Sequence, residues 1–140
     1  MSSSNLDVQE FERWFESAKR TIMSAFADLS SGYYNWSCFK AHQATEKGLK
    51  ALLWGLGQPK VGHSLVSLLK DIQDLGVDIP SDIREKCFTL SKYYMITRYP
   101  DTWESGIPED YFTEKDARDA ISAANEILDW VRDIWQKLSK

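Results

Sequence analysis

Scarcity defines this chain first. Its 140 residues include two cysteines, two histidines and four prolines, and Lys and Arg (17) are outnumbered by Asp and Glu (21). Cys38 and Cys87 are far apart and form no C-x-x-C pair. That excludes a zinc ribbon or a disulfide framework, and both read as small buried hydrophobes in a reducing, cytoplasmic setting. With so few histidines and no Glu-x-x-His pair on a helical stretch, the carboxylate-bridged di-iron bundle is excluded too, and no metal site is expected. No glycine-rich phosphate loop or nucleophile elbow is present, so no cofactor is expected. A net charge of −4 offers no global excess of cations for polyanion binding, so any nucleic-acid contact has to come from a local patch. No apolar run approaches the ~20 residues of a membrane span, and MSSSNLDVQE has neither the basic nor the apolar region of a signal peptide, so no membrane partner is expected.

Aromatic residues, by contrast, are plentiful: six Trp, six Tyr and six Phe. They suit a core built of large pieces or a surface kept for a partner. Apolar periodicity is helical throughout, and no segment alternates with period two. Val8, Phe11, Phe15, Ala18, Ile22, Ala25 and Leu29 form one stripe over residues 7–29, and Gly32 breaks it. A second helix runs from about Tyr34 to Leu56 and stops at Gly57. Ser64 caps a short third helix that ends at Gly76. A fourth starts at Ser81, its expected cap, and carries Ile83, Cys87, Leu90 and Tyr94 in register, with Arg98 next on that line. Residues 99–112 read as a long irregular loop, a length often tied to function. TEKD at 113–116 is a capping box for the last helix, whose stripe runs from Ala117 to Leu138. The expected fold is an all-α, up-and-down antiparallel helical bundle of four long helices and one short one, a single domain over residues 1–140 with its core at about 7–138.

Some residues exceed what a plain core needs. His42 and Glu46 lie inside the apolar arc of the second helix, one turn apart. Lys40, Gln43, Lys47 and Lys50 form an adjoining polar strip. This is either a solvated face beside a satisfied histidine or a carboxylate held at the core's edge beside a basic ridge. Arg98 stands where the fourth stripe meets Pro100. A guanidinium brought onto a buried face needs a carboxylate, and Glu46 and Asp101 are the candidates. The alternative is a helix-end cation that satisfies the last carbonyls. His63, directly before the cap of the third helix, is expected to be exposed.

The motifs CFKAHQATEKGLKALLWGLG, GHSLVSLL, RYPD and TEKDARDAISAANEILDWV, in that order, resemble the HEPN domain family (higher eukaryotes and prokaryotes nucleotide-binding) from about Asp7 to Ile134. The resemblance implies a five-helix domain that commonly forms homodimers, often works beside a minimal nucleotidyltransferase, and in many members cleaves RNA without metal, some as toxins. It places Glu46, Lys47 and Lys50 in the helix-two motif, His63 in the HSL element, and Arg98, Tyr99, Pro100 and Asp101 in RYPD, and we expect these to converge on one groove. The family's ribonuclease signature puts a histidine four to six residues beyond the arginine. Here those places hold Trp103, Glu104 and Ser105. The expectation is therefore a nucleotide- or phosphate-ligand-binding or partner module, leaning away from an enzyme, with Arg98, Asp101, Glu46, Lys50, Lys47, His63 and Tyr99 as ligand-binding residues. The alternatives are a metal-independent endoribonuclease in which Arg98 acts, and a non-catalytic helical module with Trp103, Trp130 and Trp135 as interface anchors.

Overall fold

A computed structural model describes residues 6–140. Residues 1–5, half of the stretch weighed above as a signal peptide, lie outside it. The described chain is helical: α1 (Val8–Ser30), α2 (Tyr34–Gly55), α3 (Leu65–Asp74), α4 (Ser81–Ser91) and α5 (Glu114–Leu138), with two 3-10 turns, Pro100–Thr102 and Pro108–Asp110. Among the described residues there are no strands.

The termini follow local chemistry. Asp7 caps α1 by accepting from the Glu10 N–H, and Ser64 caps α3 by accepting from the Ser67 N–H. Thr113 and Asp116 close the expected capping box on α5. Gly32, Gly57 and Gly76 take positive φ where α1, α2 and α3 end, a conformation that favours glycine. Ser81 is not the cap of α4: that place falls to Pro80, and Ser81 is the first helical residue.

α2 is the axis of the molecule. Its residues are buried on nearly every side, which a helix tolerates only when neighbours surround it. Alanine and glycine make that possible. A Cβ on Gly48 would collide with Leu128 Cδ2, and one on Gly55 would meet the Trp135 ring at 2.6 Å. The stripe of α1 from Phe11 to Leu29 is buried as expected, whereas Val8 is about half exposed. Phe11 and Trp135 stack with ring centres 4.3 Å apart. Trp135 is thus core, not an interface anchor, and Trp130 packs partly buried against the same core.

The fourth helix is shorter than its stripe suggested. It ends at Ser91, and the chain continues to Arg98 in hydrogen-bonded turns. Tyr93 N–H donates to Leu90 O at 3.0 Å and Arg98 N–H to Met95 O at 3.1 Å, both three-residue steps. Side chains compete with the helix ladder here: the Ser91 hydroxyl donates to Cys87 O and that of Thr97 to Tyr93 O. Aromatic and β-branched residues from Tyr93 to Thr97 add little helix propensity. Asn35 Nδ2 donates to Thr97 O at 3.0 Å, so the start of α2 holds this segment in place.

Candidate functional site

Polar side chains gather on the side of α2 that faces α3 and the 92–99 turns. His42 is 1% exposed and Glu46 9%. One Glu46 oxygen accepts from Lys50 Nζ at 2.9 Å, one helical turn on, and the other meets His63 Nδ1 at 3.0 Å. Lys50 is itself 5% exposed, and its ammonium lies 5.6 Å from the Trp14 ring centre. It therefore belongs to a buried ion pair and not to a solvated ridge. The neighbouring members of that strip turn toward α1. Lys40 pairs with Asp28 at 2.7 Å, and Lys47 donates to the Thr21 hydroxyl at 3.0 Å.

Arg98 makes neither of its expected acidic contacts. Its Nε donates to Tyr94 O at 2.9 Å and a terminal nitrogen bonds the same carbonyl. The guanidinium carbon lies 4.1 Å from the Phe39 ring centre and 4.8 Å from those of Tyr94 and Tyr99. With α4 ended at Ser91, Arg98 meets α2 at Phe39 and not at Glu46, whose oxygens Lys50 and His63 already occupy. Carbonyl capping plus aromatic stacking hold the cation instead. Asp101 is exposed in its 3-10 turn, and its carboxylate has no hydrogen bond or ion pair among the described residues.

Tyr94 links the pieces. Its ring centre is 5.2 Å from that of His63, nearly parallel, and 5.3 Å from that of His42, in addition to its contact with Arg98. These three residues come from α2, the loop before α3 and the turns after α4. A cavity of about 340 Å³ lies here, lined by His42, His63, Ser64, Leu65, Val66, Ser91 and Tyr94. Ser64, Leu65 and Val66 are the cap and first turn of α3, whose free N–H groups and dipole favour an anion.

The two imidazoles differ. His63 is well exposed, its side chain 58% accessible. Because Glu46 accepts from Nδ1–H, the neutral ring keeps its lone pair on Nε2. Burial drives the His42 pKa down to about 4, with His63 and Arg98 pushing the same way against the pull of Glu46. His42 is thus neutral at ordinary pH, and its Nδ1 is buried with no hydrogen-bond partner. Burial likewise pushes the Cys38 and Cys87 thiols up to about 12, which makes them inert.

Of the three positions where an Arg...His motif would need its histidine, Trp103 and Ser105 make structural contacts. Trp103 Nε1 donates to Ile96 O at 2.7 Å, and its ring stacks on Tyr111 at 3.8 Å. The Tyr111 hydroxyl in turn donates to Ser105 O. These contacts pin the 99–112 loop from within, so Trp103 is an internal strut and not a partner anchor. Sequence reasoning missed Tyr94, read as core, and the hydroxyls of Ser64 and Ser91. The place of Ser64, itself an N-cap and next to a histidine, was a usable signal, while nothing in the sequence marked Tyr94. Among the described residues no group of His, Cys, Asp and Glu could hold a metal ion, and no helix is long and apolar enough to cross a membrane.

Comparison with known proteins agrees with this architecture. A protein named "Putative toxin MJ1304" from Methanocaldococcus jannaschii is 21% identical over 141 residues, covering 95% of this chain and 93% of that protein. The crystal structure of TT1696 from Thermus thermophilus is 38% identical with a TM-score of 0.84, over 88% of this chain and 96% of that one. ST0689, described as an archaeal HEPN homologue, is also 38% identical, with a TM-score of 0.74 over 88% and 95% of the two chains. A HEPN domain protein from Thermotoga maritima is 27% identical, with a TM-score of 0.72 over 89% and 98%. The family model for the HEPN domain matches residues 11–134. Sequence and fold together place this chain in the HEPN domain family.

Proposed function

We propose that the protein is a binding module for a phosphate-bearing ligand, a nucleotide or an RNA strand, received in the cavity between α2, the first turn of α3 and the turns after α4. One observation carries this reading: the Tyr94 ring touches both histidines and the Arg98 guanidinium beside a cavity into which the α3 N-terminus opens. Each of these features favours an anion or an unpaired base. The guanidinium fork keeps donors beyond those spent on Tyr94 O. The first turn of α3 offers backbone N–H groups. Tyr99, exposed and stacked on Arg98, and Trp36, exposed near the start of α2, offer ring faces for a base.

Within this reading, Arg98 and His63 are the ligand residues. Glu46 and Lys50 are the buried pair that sets His63; Arg98 and Tyr99 border the cavity through Tyr94 and are not in its lining, and Lys47 and Asp101 are not in it either. A second copy of the chain and a minimal nucleotidyltransferase are the proposed protein partners. Both rest on family membership, and a toxin-like role rests on the distant relative's name.

Titration calorimetry with mononucleotides and a short oligoribonucleotide tests the proposal. The intact protein is expected to bind, and Arg98→Ala to bind at least ten-fold more weakly. Equal affinities for the two proteins would refute it.

A further inference from the structure

Lys40, Gln43 and Lys47 recur along α2 and have no part in the Tyr94 cavity, because the fold turns them toward α1. There they face Ser17, Arg20, Thr21 and Ser24, the polar row of α1 beside its buried stripe. The two rows wall a trough of about 310 Å³. At ~1.5 Å per residue, the steps from Ser17 to Ser24 and from Lys40 to Lys47 give it a length of about 10 Å. At ~30 Å³ per molecule it has room for roughly ten waters, more than one small ion fills. The lining is of one sign. It holds three cations, three hydroxyls and one amide, and no carboxylate. Elsewhere the signs mix: Arg118 shares a hollow with Glu126, and Lys19 shares another with Glu12 and Glu16.

The acidic partners of these cations stay outside the lining. Asp28 pairs with Lys40 at 2.7 Å, and Glu16 with Arg20 at 3.2 Å. Lys47 is different. Its Nζ donates to the Thr21 hydroxyl at 3.0 Å, and that hydroxyl gives its own proton to Ser17 O at 2.9 Å. The ammonium is thus fixed in the trough wall by a neutral group, with two of its three donors to spare. Lys40 and Lys47 are also half-buried, so salt screens them less than it screens freely exposed lysines. We propose that this trough is a second anion site, separate from the Tyr94 cavity, and that it takes a short polyphosphate chain. Adjacent phosphates match cations spread along both walls, and the hydroxyls and the Gln43 amide donate to the oxygens between them. No aromatic ring is in the lining, so nothing there reads a base. The site recognises the chain itself, whether free or at the end of a nucleoside. Trp14 lines the next hollow, which meets the trough at Ser17, and a nucleoside reader would have to use it. Lys40, Lys47 and Arg20 are the binding cations, and Thr21 is the positioning residue of Lys47.

Titration calorimetry on the full chain carrying Arg98→Ala, in EDTA, keeps the two sites apart. Sodium tripolyphosphate is expected to bind once per chain, at least about ten-fold more tightly than orthophosphate at equal ionic strength. ATP is expected to match tripolyphosphate within about three-fold, since the trough reads phosphates alone. Adding Lys47→Met, which keeps most of the stem and removes the ammonium, should weaken tripolyphosphate at least about ten-fold. Arg20→Gln, at an exposed residue, is the second charge deletion and should weaken it about three-fold or more. Thr21→Val changes no charge, yet it frees Lys47 and should weaken binding about three-fold or more. Absence of tripolyphosphate binding overturns the proposal, as does binding that Lys47→Met and Arg20→Gln leave unchanged. Full affinity in Thr21→Val means a diffuse charge patch and overturns it too. ATP bound at least ten-fold more tightly than tripolyphosphate, or a short oligoribonucleotide bound as tightly, means that the trough reads a nucleoside or a phosphodiester, and the proposal fails. The Tyr94 cavity is tested separately, by the effect of Arg98→Ala on mononucleotide binding, so either site can fail without the other.

Discussion

The two sides of α2 are built on different principles. Toward α1 and α5 the contact is close and mainly apolar, with Phe11 stacked on Trp135 and glycines at 48 and 55 where neighbours approach, and its polar contacts, Lys40 with Asp28 and Lys47 with Thr21, lie at the half-buried rim. Toward α3 and the turns after α4, the same helix presents His42, Glu46 and Lys50, all buried. The first side obtains its stability from area removed from water and from dense packing. The second spends desolvation on ionisable groups, which fold no better than leucines of the same volume would. A helix that needed only to pack has no use for that arrangement, and this contrast is what supports the proposal that the α3-facing side binds ligand.

Substitutions on each side sharpen the contrast, beginning with the largest effects. Trp135→Ala removes a stacked core ring and is expected to cost about 3–5 kcal/mol in denaturant unfolding, with ligand affinity unchanged in the folded fraction. Lys50→Ala leaves Glu46 without its ammonium partner and is expected to cost a similar amount, about 3–5 kcal/mol, as a buried pair broken on one side. The joint change Glu46→Leu with Lys50→Met should recover most of that stability yet weaken ligand binding, because His63 loses the carboxylate that orients it. Such a split between stability and function would be impossible within the apolar packing on the α1 side.

Proton linkage gives the next effect. His42 titrates near 4 in the folded state and near its ordinary value of 6.5 when unfolded. The unfolded chain therefore binds more protons between those values, and the stability contributed by neutral His42 is complete above pH 6.5 and lost as pH falls toward 4. Across that window the loss is on the order of 3 kcal/mol. Unfolding curves for His42→Phe should show a clearly smaller slope there. An unchanged slope would mean that His42 is not the buried neutral group described.

Smaller still is the difference between two glycines. An added Cβ on Gly55 meets the rigid Trp135 ring and Phe11, whereas one on Gly48 meets the end of a leucine side chain. Gly55→Ala is expected to cost about 1–3 kcal/mol from overpacking, partly offset by the better helix propensity of alanine. Gly48→Ala, where Leu128 can turn aside, should be the milder change. Thermal unfolding of the pair checks the order.

Much of this contrast was legible before any coordinates. The stripes of α1 and α5, the N-cap Ser64 and the capping box at Thr113 depend on residues within a few positions of one another, and local rules reach that far. Glu46 and His42 could likewise be placed on the buried arc of α2 by angle alone. The partners of these residues were less accessible. Extrapolating the α4 stripe carried Arg98 toward Glu46, but the helix ends at Ser91 and the chain goes on in three-residue turns, so the register is lost first. Lys50 looked like a solvated neighbour of Lys47, since periodicity cannot say which edge of a polar strip a neighbouring helix will cover. His63 joins Glu46 across 17 residues of sequence, through a turn at Gly62 that carries no periodic signal.

The most direct measurement is a 1H–15N NMR titration of the two imidazole rings with the short oligoribonucleotide used for calorimetry. The account predicts that both His63 and His42 resonances move with a single binding curve, and that Arg98→Ala shifts that curve at least ten-fold to higher ligand concentration. If ligand binds while both rings stay where they were, the cavity beside Tyr94 is not the site.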